Sequence, residues 1–289
     1  MSKLMMDYAN PHALVETNWL AERLDDPAVK VVDASCAIPG VATDFRQAFL
    51  EAHIPGAVYF DIEEIADRES PLPHTLPAPE QFARQVGALG LGNGDHVVVY
   101  DNAGGYAAAA RVWWMFRVYG HDKVSILNGG FKTWLAEKKP TESGDAAPAP
   151  ATFKAGYRDN FVKTIDQVAA NLETKTAQVI DARSPGRFTG GTPEPRAGLR
   201  GGRIPGSLNT PCAAFVGPDG KILSSEIIRK YFADVGLNPT RPVIASCGSG
   251  VTALMPVFAL YLIGFDNGAV YDGSWTEWGG REDLPIETG

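Results

Sequence analysis

Cys247 is the residue whose type and surroundings best suit nucleophilic chemistry. It lies in PVIASCGSGVTALMPVFALYLIG, after a predicted strand and before a predicted helix. Sites in open α/β sheets lie at the carboxyl ends of strands. Gly248 and Gly250 permit a tight loop whose backbone N–H groups turn inward, and these donors and the helix dipole would stabilise a thiolate or persulfide anion. The alternative is a small core thiol, the commonest fate of a free cysteine, but a core position does not need flanking glycines.

Short β-branched runs alternate with amphipathic patterns along the chain. The predicted strands are VKVVDA, HVVVYD, KVSIL, AQVIDA, PVIAS and AVYD. The predicted helices are PEQFARQVGALGL, RVWWMFRVYG, DQVAANLETK and SSEIIRKYFADVGL. This alternation predicts an α/β fold with a parallel sheet flanked by helices in each half of the chain.

The two halves of the chain match each other in the same order and at similar spacing. The matching pairs are KVVDAS (30–35) with QVIDAR (178–183), HIPGAVYFD (53–61) with RIPGSLNTP (203–211), HVVVYDNAGGYAAA (96–109) with PVIASCGSGVTAL (242–254), and VSILNGGFKTW (124–134) with AVYDGSWTEW (269–278). A tandem duplication follows. We expect an N-terminal domain at 10–140, a linker at 141–160 where Pro, Ala, Gly and charged residues dominate, and a C-terminal domain at 161–289.

Composition narrows the classes of partner and cofactor. Hydrophobic residues make up 45% and charged residues 21%, with a net charge of −8, which is typical of a soluble globular protein and disfavours nucleic acid or an anionic membrane as a partner. No apolar run has transmembrane length, and the first residues lack signal-peptide and transit-peptide patterns, so a cytoplasmic location is expected. Three cysteines without a CxxC pair predict neither a disulfide framework nor zinc. We expect no metal and no organic cofactor.

The loop Cys247-Gly248-Ser249-Gly250-Val251-Thr252, in the second of two duplicated halves, resembles the rhodanese superfamily of sulfurtransferases. Its six residues look like the loop of the 3-mercaptopyruvate sulfurtransferases in particular. The resemblance covers nearly the whole chain, and AHIPGAVYFDI, SPLPHTLP, GRFTGGTPEPRAGLRGGRIPG and YDGSWTEWG are all similar to family segments. It implies two rhodanese-like domains, with the chemistry in the second, because Asp101 stands where that half has Cys247.

The resemblance implies that Arg187 and Arg196, in SPGRFTGGTPEPRAG, bind the substrate together with the loop residues Gly248, Gly250, Val251 and Thr252. An arginine fork matches a carboxylate in a bidentate way. The residues alone favour solvated loop arginines, the usual environment of that side chain.

A polar relay to the nucleophile is the second implication of the resemblance. Ser249 follows Cys247 by two residues, and its hydroxyl could polarise the substrate thiol or carbonyl. His74 and Asp61 would join Ser249 in a serine–histidine–carboxylate chain that passes a proton. Because both lie in the first half, the site would form between the domains. The alternative for His74 is a loop histidine with satisfied hydrogen bonds.

The resemblance implies covalent sulfur transfer. Cys247 would take sulfur from 3-mercaptopyruvate, release pyruvate, and pass the sulfur from a persulfide to cyanide, a small thiol or a reduced thioredoxin-like protein. Two alternatives stay open: a thiosulfate:cyanide sulfurtransferase, which typically carries basic residues after its cysteine, and a non-enzymatic sulfur-carrier or binding module. A phosphatase of this fold would need arginine where Ala253 stands.

Three further residues carry minor expectations. Cys36 and Cys212 are interpreted as bystander thiols, with an occasional redox contact as the alternative for Cys36. Pro256 falls nine residues after Cys247 in a predicted helix, and proline costs about 3 kcal/mol inside a helix. The helix must therefore either start late or bend there.

Overall fold

Each half of the chain forms one parallel β-sheet of five strands. The protein is described from a computed structural model, which describes residues 7–37, 43–102 and 106–289. The strands of the first sheet are β1 (Leu14–Val15), β2 (Val29–Asp33), β3 (Val58–Tyr59), β4 (His96–Tyr100) and β5 (Val124–Leu127). Those of the second are β6 (Val162–Lys163), β7 (Gln178–Asp181), β8 (Leu208–Asn209), β9 (Val243–Ser246) and β10 (Gly268–Tyr271).

The strand orders of the two sheets are equivalent. The first runs β1-β5-β4-β2-β3 and the second β6-β10-β9-β7-β8, with all pairs parallel. The central strands β4 and β9 are valine- and isoleucine-rich and almost wholly buried, as expected for strands covered on both faces. The predicted α/β fold of two duplicated parallel sheets is therefore confirmed.

Helices cover both sheets. Those of the first half are α1 (Thr17–Ala21), α2 (Phe45–Glu51), α3 (Ile62–Ile65), α4 (Pro79–Ala88), α5 (Ala107–Val118) and α6 (Gly130–Ala136). Those of the second are α7 (Ile165–Thr174), α8 (Pro185–Thr189), α9 (Ser225–Asp234), α10 (Leu254–Leu262) and α11 (Ser274–Trp278). Single 3-10 turns lie at Pro11–Ala13, Asp159–Phe161 and Cys212–Phe215. Within the described residues no helix is both long and apolar enough to cross a bilayer.

Helices α5 and α10 join the two halves. Each follows the central strand of its own sheet, and every residue of α5 is buried. Trp113 of α5 packs edge-on against Phe258 of α10, with ring centroids 4.9 Å apart. The two helices therefore form part of the contact between the halves.

The segment predicted as a linker, 141–160, lies along the surface of the first half. Its backbone donates from Ala151 to the carbonyl of Gly87 and from Gly156 to that of Tyr119. Phe153 is buried among aromatic side chains of the first half, including Phe82. The Pro- and Ala-rich stretch is thus held to one domain by backbone hydrogen bonds and one aromatic anchor.

Pro256 is accommodated by a late helix start. Helix α10 begins at Leu254, seven residues after Cys247, so the proline falls in the first turn. Amides of a first helical turn have no partner inside the helix, and proline costs little there. The residues between Cys247 and Leu254 are therefore free to form a loop.

Candidate active site

Cys247 follows the last residue of β9, at the carboxyl edge of the second sheet. It is 1% exposed. Its amide donates to Ser274 Oγ at 3.1 Å, and its carbonyl accepts from the amide of Trp275 at 3.0 Å. The next carbonyl, that of Gly248, accepts from the amide and the hydroxyl of Thr276. The start of α11 thus fixes the backbone on which the thiol stands.

The loop after Cys247 presents a run of unengaged backbone donors. Within the described residues, none of the six amides from Gly248 to Ala253 donates to a protein acceptor. Gly250 has φ +78°, and a side chain there would bring Cβ to 2.7 Å from the carbonyl oxygen of Asp272, so only glycine fits. Consecutive free amides ahead of a helix of nine residues form a setting that favours an anion.

A small cavity of about 40 Å³ opens beside this loop. It collects all of the predicted substrate-binding residues except Gly250, and three residues from the first half of the chain. The lining side chains and loop residues are Cys36, Ala37, His74, Arg187, Arg196, Gly248, Ser249, Val251 and Thr252. The structure therefore brings the predicted loop, both arginines and His74 together at the domain interface.

Ser249 and His74 are hydrogen-bonded across the domain interface. The Ser249 hydroxyl lies 3.0 Å from His74 Nδ1, and His74 Nε2 lies 2.5 Å from Glu63 Oε1. Both Ser249 and His74 are less than one-tenth exposed. The hydrogen bond from His74 is the main cause that lowers the pKa of the Glu63 carboxyl, so this carboxylate is ionised at neutral pH. A serine–histidine–glutamate chain results.

The assignment of Asp61 to this chain was wrong. Asp61 is the N-cap of α3, and its carboxylate accepts from the amides of Glu63 and Glu64. It lines a separate surface depression with Arg46 and Tyr59. A short side chain at a helix start bonds its own helix. Asp61 does so here, while Glu63, in the first helical turn, bonds the imidazole.

Arg187 is held by a buried carboxylate. Glu194 accepts from Arg187 Nε at 3.2 Å and from Nη2 at 2.5 Å, and it is 1% exposed. The same carboxylate accepts from Arg183, which is fully buried and also paired with Asp181. Arg187 Nη2 would lie 3.0 Å from a Cβ built on Gly248. The guanidinium therefore stands directly over the first loop residue.

Arg196 is the less engaged of the two cavity arginines. It forms no hydrogen bond or ion pair with any residue that the structure describes. Its charge is close enough to Glu63 to contribute to the lowered pKa of that carboxyl. A guanidinium at a cavity wall with open donors suits an incoming carboxylate.

The two other thiols, Cys36 and Cys212, both lie close to the site. Cys36 lines the cavity, and burial raises the pKa of its thiol to about 12. Cys212 begins the 3-10 turn after β8, and burial, followed by the nearby charge of Cys247, raises the pKa of its thiol. Both thiols are therefore protonated at neutral pH, which makes them poor nucleophiles.

Four residues of the site escaped sequence reasoning: Glu63, Glu194, Arg111 and Asp272. Arg111 carried a signal, because it is a charged residue inside the apolar run AAAARVWWMF. Such a residue in a buried helix needs a partner, which the structure supplies in Asp272. Glu63 and Glu194 had no signal that distinguishes them from solvent-exposed carboxylates.

Comparison with known proteins agrees with this geometry. The family profile described as "Rhodanese-like domain" matches residues 16–137 and 164–281. The chain belongs to the rhodanese family. The first match contains strands β2 to β5 of the first sheet, and the second contains strands β7 to β10 of the second sheet together with Cys247.

Relatives of this rhodanese-family chain match it over nearly its whole length. It is 45% identical to the human 3-mercaptopyruvate sulfurtransferase over 271 residues, which cover 92% of this chain and 91% of the human one. It is 47% identical to the thiosulfate sulfurtransferase of Bos taurus over 282 residues, covering 96% and 94%. The crystal structure of SseA from Escherichia coli, a 3-mercaptopyruvate sulfotransferase, superposes with a TM-score of 0.84 at 39% identity, covering 91% of this chain and 98% of that one.

Proposed function

We propose that this protein is a 3-mercaptopyruvate sulfurtransferase in which Cys247 carries the sulfur as a persulfide. The observation that carries the proposal is the loop after Cys247, whose six amides have no acceptor among the described residues and whose side chains share a cavity with His74, Arg187 and Arg196. Family membership and the names of the relatives support the same reaction class.

The first half-reaction moves one sulfur atom from substrate to enzyme. The Cys247 thiolate attacks the thiol sulfur of 3-mercaptopyruvate, an S–S bond forms, and the C–S bond breaks. The electron pair of that bond goes to the substrate carbon, giving the enolate of pyruvate. Protonation of this carbon yields pyruvate and leaves a persulfide on Cys247. The free loop amides would stabilise the sulfur anion before and after transfer.

The Ser249–His74–Glu63 chain would manage the proton. The Ser249 hydroxyl, two residues from the nucleophile, would contact the substrate thiol or carbonyl, and His74 would receive or return a proton through Ser249. Ionised Glu63 would hold the imidazole in position. Positioned acid–base groups of this kind contribute about 10²–10⁴-fold in rate.

The cavity arginines would orient the substrate carboxylate. Arg196 supplies open donors, whereas Arg187 reaches over Gly248 with one side of its guanidinium while Glu194 holds the other. A charge-assisted hydrogen bond contributes about 1.5–3 kcal/mol. Val251 and Thr252 would complete the wall of the pocket.

The second half-reaction would return Cys247 to its thiolate. A thiophilic acceptor, namely cyanide, a small thiol or a reduced thioredoxin-like protein, attacks the outer sulfur of the persulfide. The sequence of two covalent half-reactions predicts ping-pong kinetics. Three free cysteines suit a reducing compartment, and we propose a cytoplasmic location.

Thiosulfate is the competing donor. The thiosulfate sulfurtransferase of Bos taurus is as similar in overall sequence as the human 3-mercaptopyruvate enzyme, so identity does not separate the two donors. The residues after Cys247 do: Gly248 and Ser249 are neutral, and a small dianion beside the loop would need a compensating charge. Mercaptopyruvate carries its charge on a carboxylate distant from its thiol, within reach of the cavity arginines.

Intact-mass measurement after incubation with each donor tests the proposal. We expect mercaptopyruvate to add one sulfur atom to Cys247 with stoichiometric release of pyruvate, and thiosulfate to load the enzyme more slowly. A protein that gains no sulfur and releases no pyruvate would be a binding module. Greater loading by thiosulfate than by mercaptopyruvate would indicate the alternative enzyme.

A loop replacement tests donor choice directly. The double variant Gly248→Arg, Ser249→Lys should raise kcat/KM for thiosulfate and lower it for mercaptopyruvate, because it adds cations and crowds Arg187 Nη2. Ser249→Ala alone is the control, and it should weaken mercaptopyruvate turnover without improving that of thiosulfate. An unchanged ratio of the two donors in the folded double variant would remove the loop from the determination of specificity.

A further inference from the structure

Arg111 lies at the centre of the contact between the two halves. It projects from α5 of the first half and is 0% exposed. Its guanidinium donates to two backbone carbonyls of the active site: Nη2 to that of His74 at 2.5 Å and Nη1 to that of Gly250 at 3.2 Å. One carbonyl belongs to His74 and the other to the residue that follows Ser249, so Arg111 bonds the backbone at both partners of the His74–Ser249 hydrogen bond.

Asp272 completes the arrangement from the second half. It follows β10 and accepts from Arg111 Nη1 at 2.7 Å. Its other carboxylate oxygen accepts from the amide of Leu76 at 2.8 Å. The ion pair therefore binds the chain at His74 and at Leu76, two residues further on, as well as the catalytic loop at Gly250.

The backbone at His74 needs such support. Its φ is +61°, in the left-handed region that a non-glycine residue occupies only at a cost. The Arg111 guanidinium bonds the carbonyl of this residue, and Asp272 bonds the amide two residues later. Together they keep the His74 ring facing Ser249.

We propose that the buried Arg111–Asp272 pair positions the proton relay, so that it sets the rate of sulfur transfer and not the affinity for the donor. This inference rests on the proposed function. Neither residue is among those that line the cavity, so both act through His74 and the loop. Misplacement of a catalytic group by about 1 Å can cost about 10²-fold in rate.

Arg117 provides a matched control. It lies on the same helix, is 6% exposed, and also bridges the halves, with Nη2 2.9 Å from Asp266. Its guanidinium stacks over Tyr261 and contacts no residue of the cavity. Arg117→Lys should therefore weaken the domain contact without moving His74.

The test compares Arg111→Lys with Arg117→Lys. Lysine keeps the charge but cannot bond both carbonyls and Asp272 with one planar fork. We expect kcat for pyruvate release to fall about 10- to 100-fold in Arg111→Lys, with KM for mercaptopyruvate within about twofold of the wild-type value. Arg117→Lys should lower Tm and leave kcat unchanged. Equal kcat losses in both variants would overturn the inference.

Two further variants separate a positioning role of Arg111 from a general loss of stability. In a His74→Gly background, Arg111→Lys should cause no further loss of kcat, and a persisting loss would contradict an action through His74. Asp272→Asn retains an acceptor for Leu76 but not the ion pair. It should lower kcat at unchanged KM, and it keeps the inference testable if Arg111→Lys fails to fold. Unaltered kcat in Asp272→Asn would also overturn the inference.

An NMR readout separates this inference from the proposed function. The imidazole proton signals of His74 should shift in Arg111→Lys and not in Arg117→Lys, whatever the donor. Unshifted signals in both variants would sink the positioning role even if the enzyme transfers sulfur. Absence of sulfur transfer by the wild-type protein would refute the proposed function while leaving the measured shift interpretable.

Discussion

At the carboxyl edge of the second sheet the chain places Cys247, whereas the same edge of the first sheet carries Asp101. Asp101 uses a carboxylate oxygen to accept from the amide of Ala109 at 3.1 Å, in the first turn of α5. Cys247 makes no equivalent bond to α10, and the amides of its loop have no acceptor in the part of the chain that the structure describes. In the first half, an acidic side chain accepts from an amide at the start of the following helix. In the second half, the thiol leaves the corresponding amides available to bind an anion.

The two edges share a backbone arrangement. His74 has its counterpart in Gly220, which is also left-handed, with φ +77°. The carbonyl of His74 accepts from Arg111, and that of Gly220 accepts from the Tyr106 hydroxyl at 2.5 Å. The frame is thus common to both halves, which differ in the side chains placed on it.

The residues after the last strand of each sheet are equally matched. Asp272 accepts from the amide of Leu76, and Asn128 accepts from the amide of Ile222 at 3.0 Å. Only the Asp272 side carries an ion pair to a buried arginine. The edge that carries Cys247 therefore differs from its counterpart by a buried ion pair as well as by the thiol.

Replacement of the nucleophile should have the largest effect. Cys247→Ser should abolish sulfur transfer, because a serine hydroxyl cannot form or pass a persulfide. Intact mass after incubation with mercaptopyruvate should show no added sulfur. Cys36→Ser and Cys212→Ser are the controls and should stay active, since both thiols are protonated at neutral pH. Sulfur loading of Cys247→Ser would show that another thiol accepts the sulfur.

Conversion of one half toward the other should have the next largest effect. His74→Gly gives the active edge the residue that the other edge carries at position 220, and glycine suits the left-handed backbone. We expect kcat to fall about 10²-fold or more through loss of the proton relay, with Tm nearly unchanged. Pre-steady-state pyruvate release measures this step, and a wild-type rate would show that the relay is not used.

Removal of the substrate cations should act mainly on KM. Arg196→Ala should raise KM for mercaptopyruvate about 10- to 100-fold, equivalent to the loss of about 1.5–3 kcal/mol. Arg187→Ala should do the same and also lower Tm, because it leaves the buried carboxylate of Glu194 with one partner fewer. Exposed Arg281, paired with Asp283, is the control. If the steady-state kinetics of both cavity variants are unchanged, Arg187 and Arg196 have a structural role and do not bind the substrate.

The relay carboxylate offers a smaller and more selective test. Glu63→Gln should lower kcat about tenfold, because the imidazole loses its ionised partner. The matched variant Asp61→Asn, which preserves a helix cap, should retain full activity. Since the pKa of Glu63 is lowered from 4.5, its contribution should be constant above about pH 4.5 and should disappear only as the pH falls through the lowered value. Equal losses in the two variants would contradict the correction of Asp61 to Glu63.

The smallest expected effect concerns Cys36. Burial and the neighbouring carboxylates raise the pKa of its thiol from 9.0 to about 12. The folded protein thus holds the proton over a range in which the unfolded chain would release it, and stability falls as the pH rises above about 9. Alkylation by iodoacetamide at pH 8, followed by peptide mass analysis, should leave Cys36 unmodified. Rapid modification would mean that this cavity wall opens in solution.

Local patterns in the sequence were sufficient to predict the three longest strands of each sheet, the duplication and the loop after Cys247, but not the two-residue strands β1, β3, β6 and β8. Strand and loop signals depend on neighbouring residues, and matched segments repeat the same signals twice. The contact of Glu63 with His74 could not be predicted from the sequence, since it depends on Asp61 being engaged as a helix cap. The pairing of Arg111 with Asp272 joins residues 161 positions apart, and only the packing of the two halves brings them together.

The exchange of amide donors between the halves has a consequence for the ancestry of such proteins. Leu76 of the first half bonds Asp272 of the second, and Ile222 of the second bonds Asn128 of the first. Two identical subunits related by a twofold axis would make one such contact twice, as isologous dimers do. Fusion of such a dimer into one chain would preserve the contact and would allow the residues at the two edges to differ. The edge with Asp101 and the edge with Cys247 would then be two copies of a once symmetrical pair.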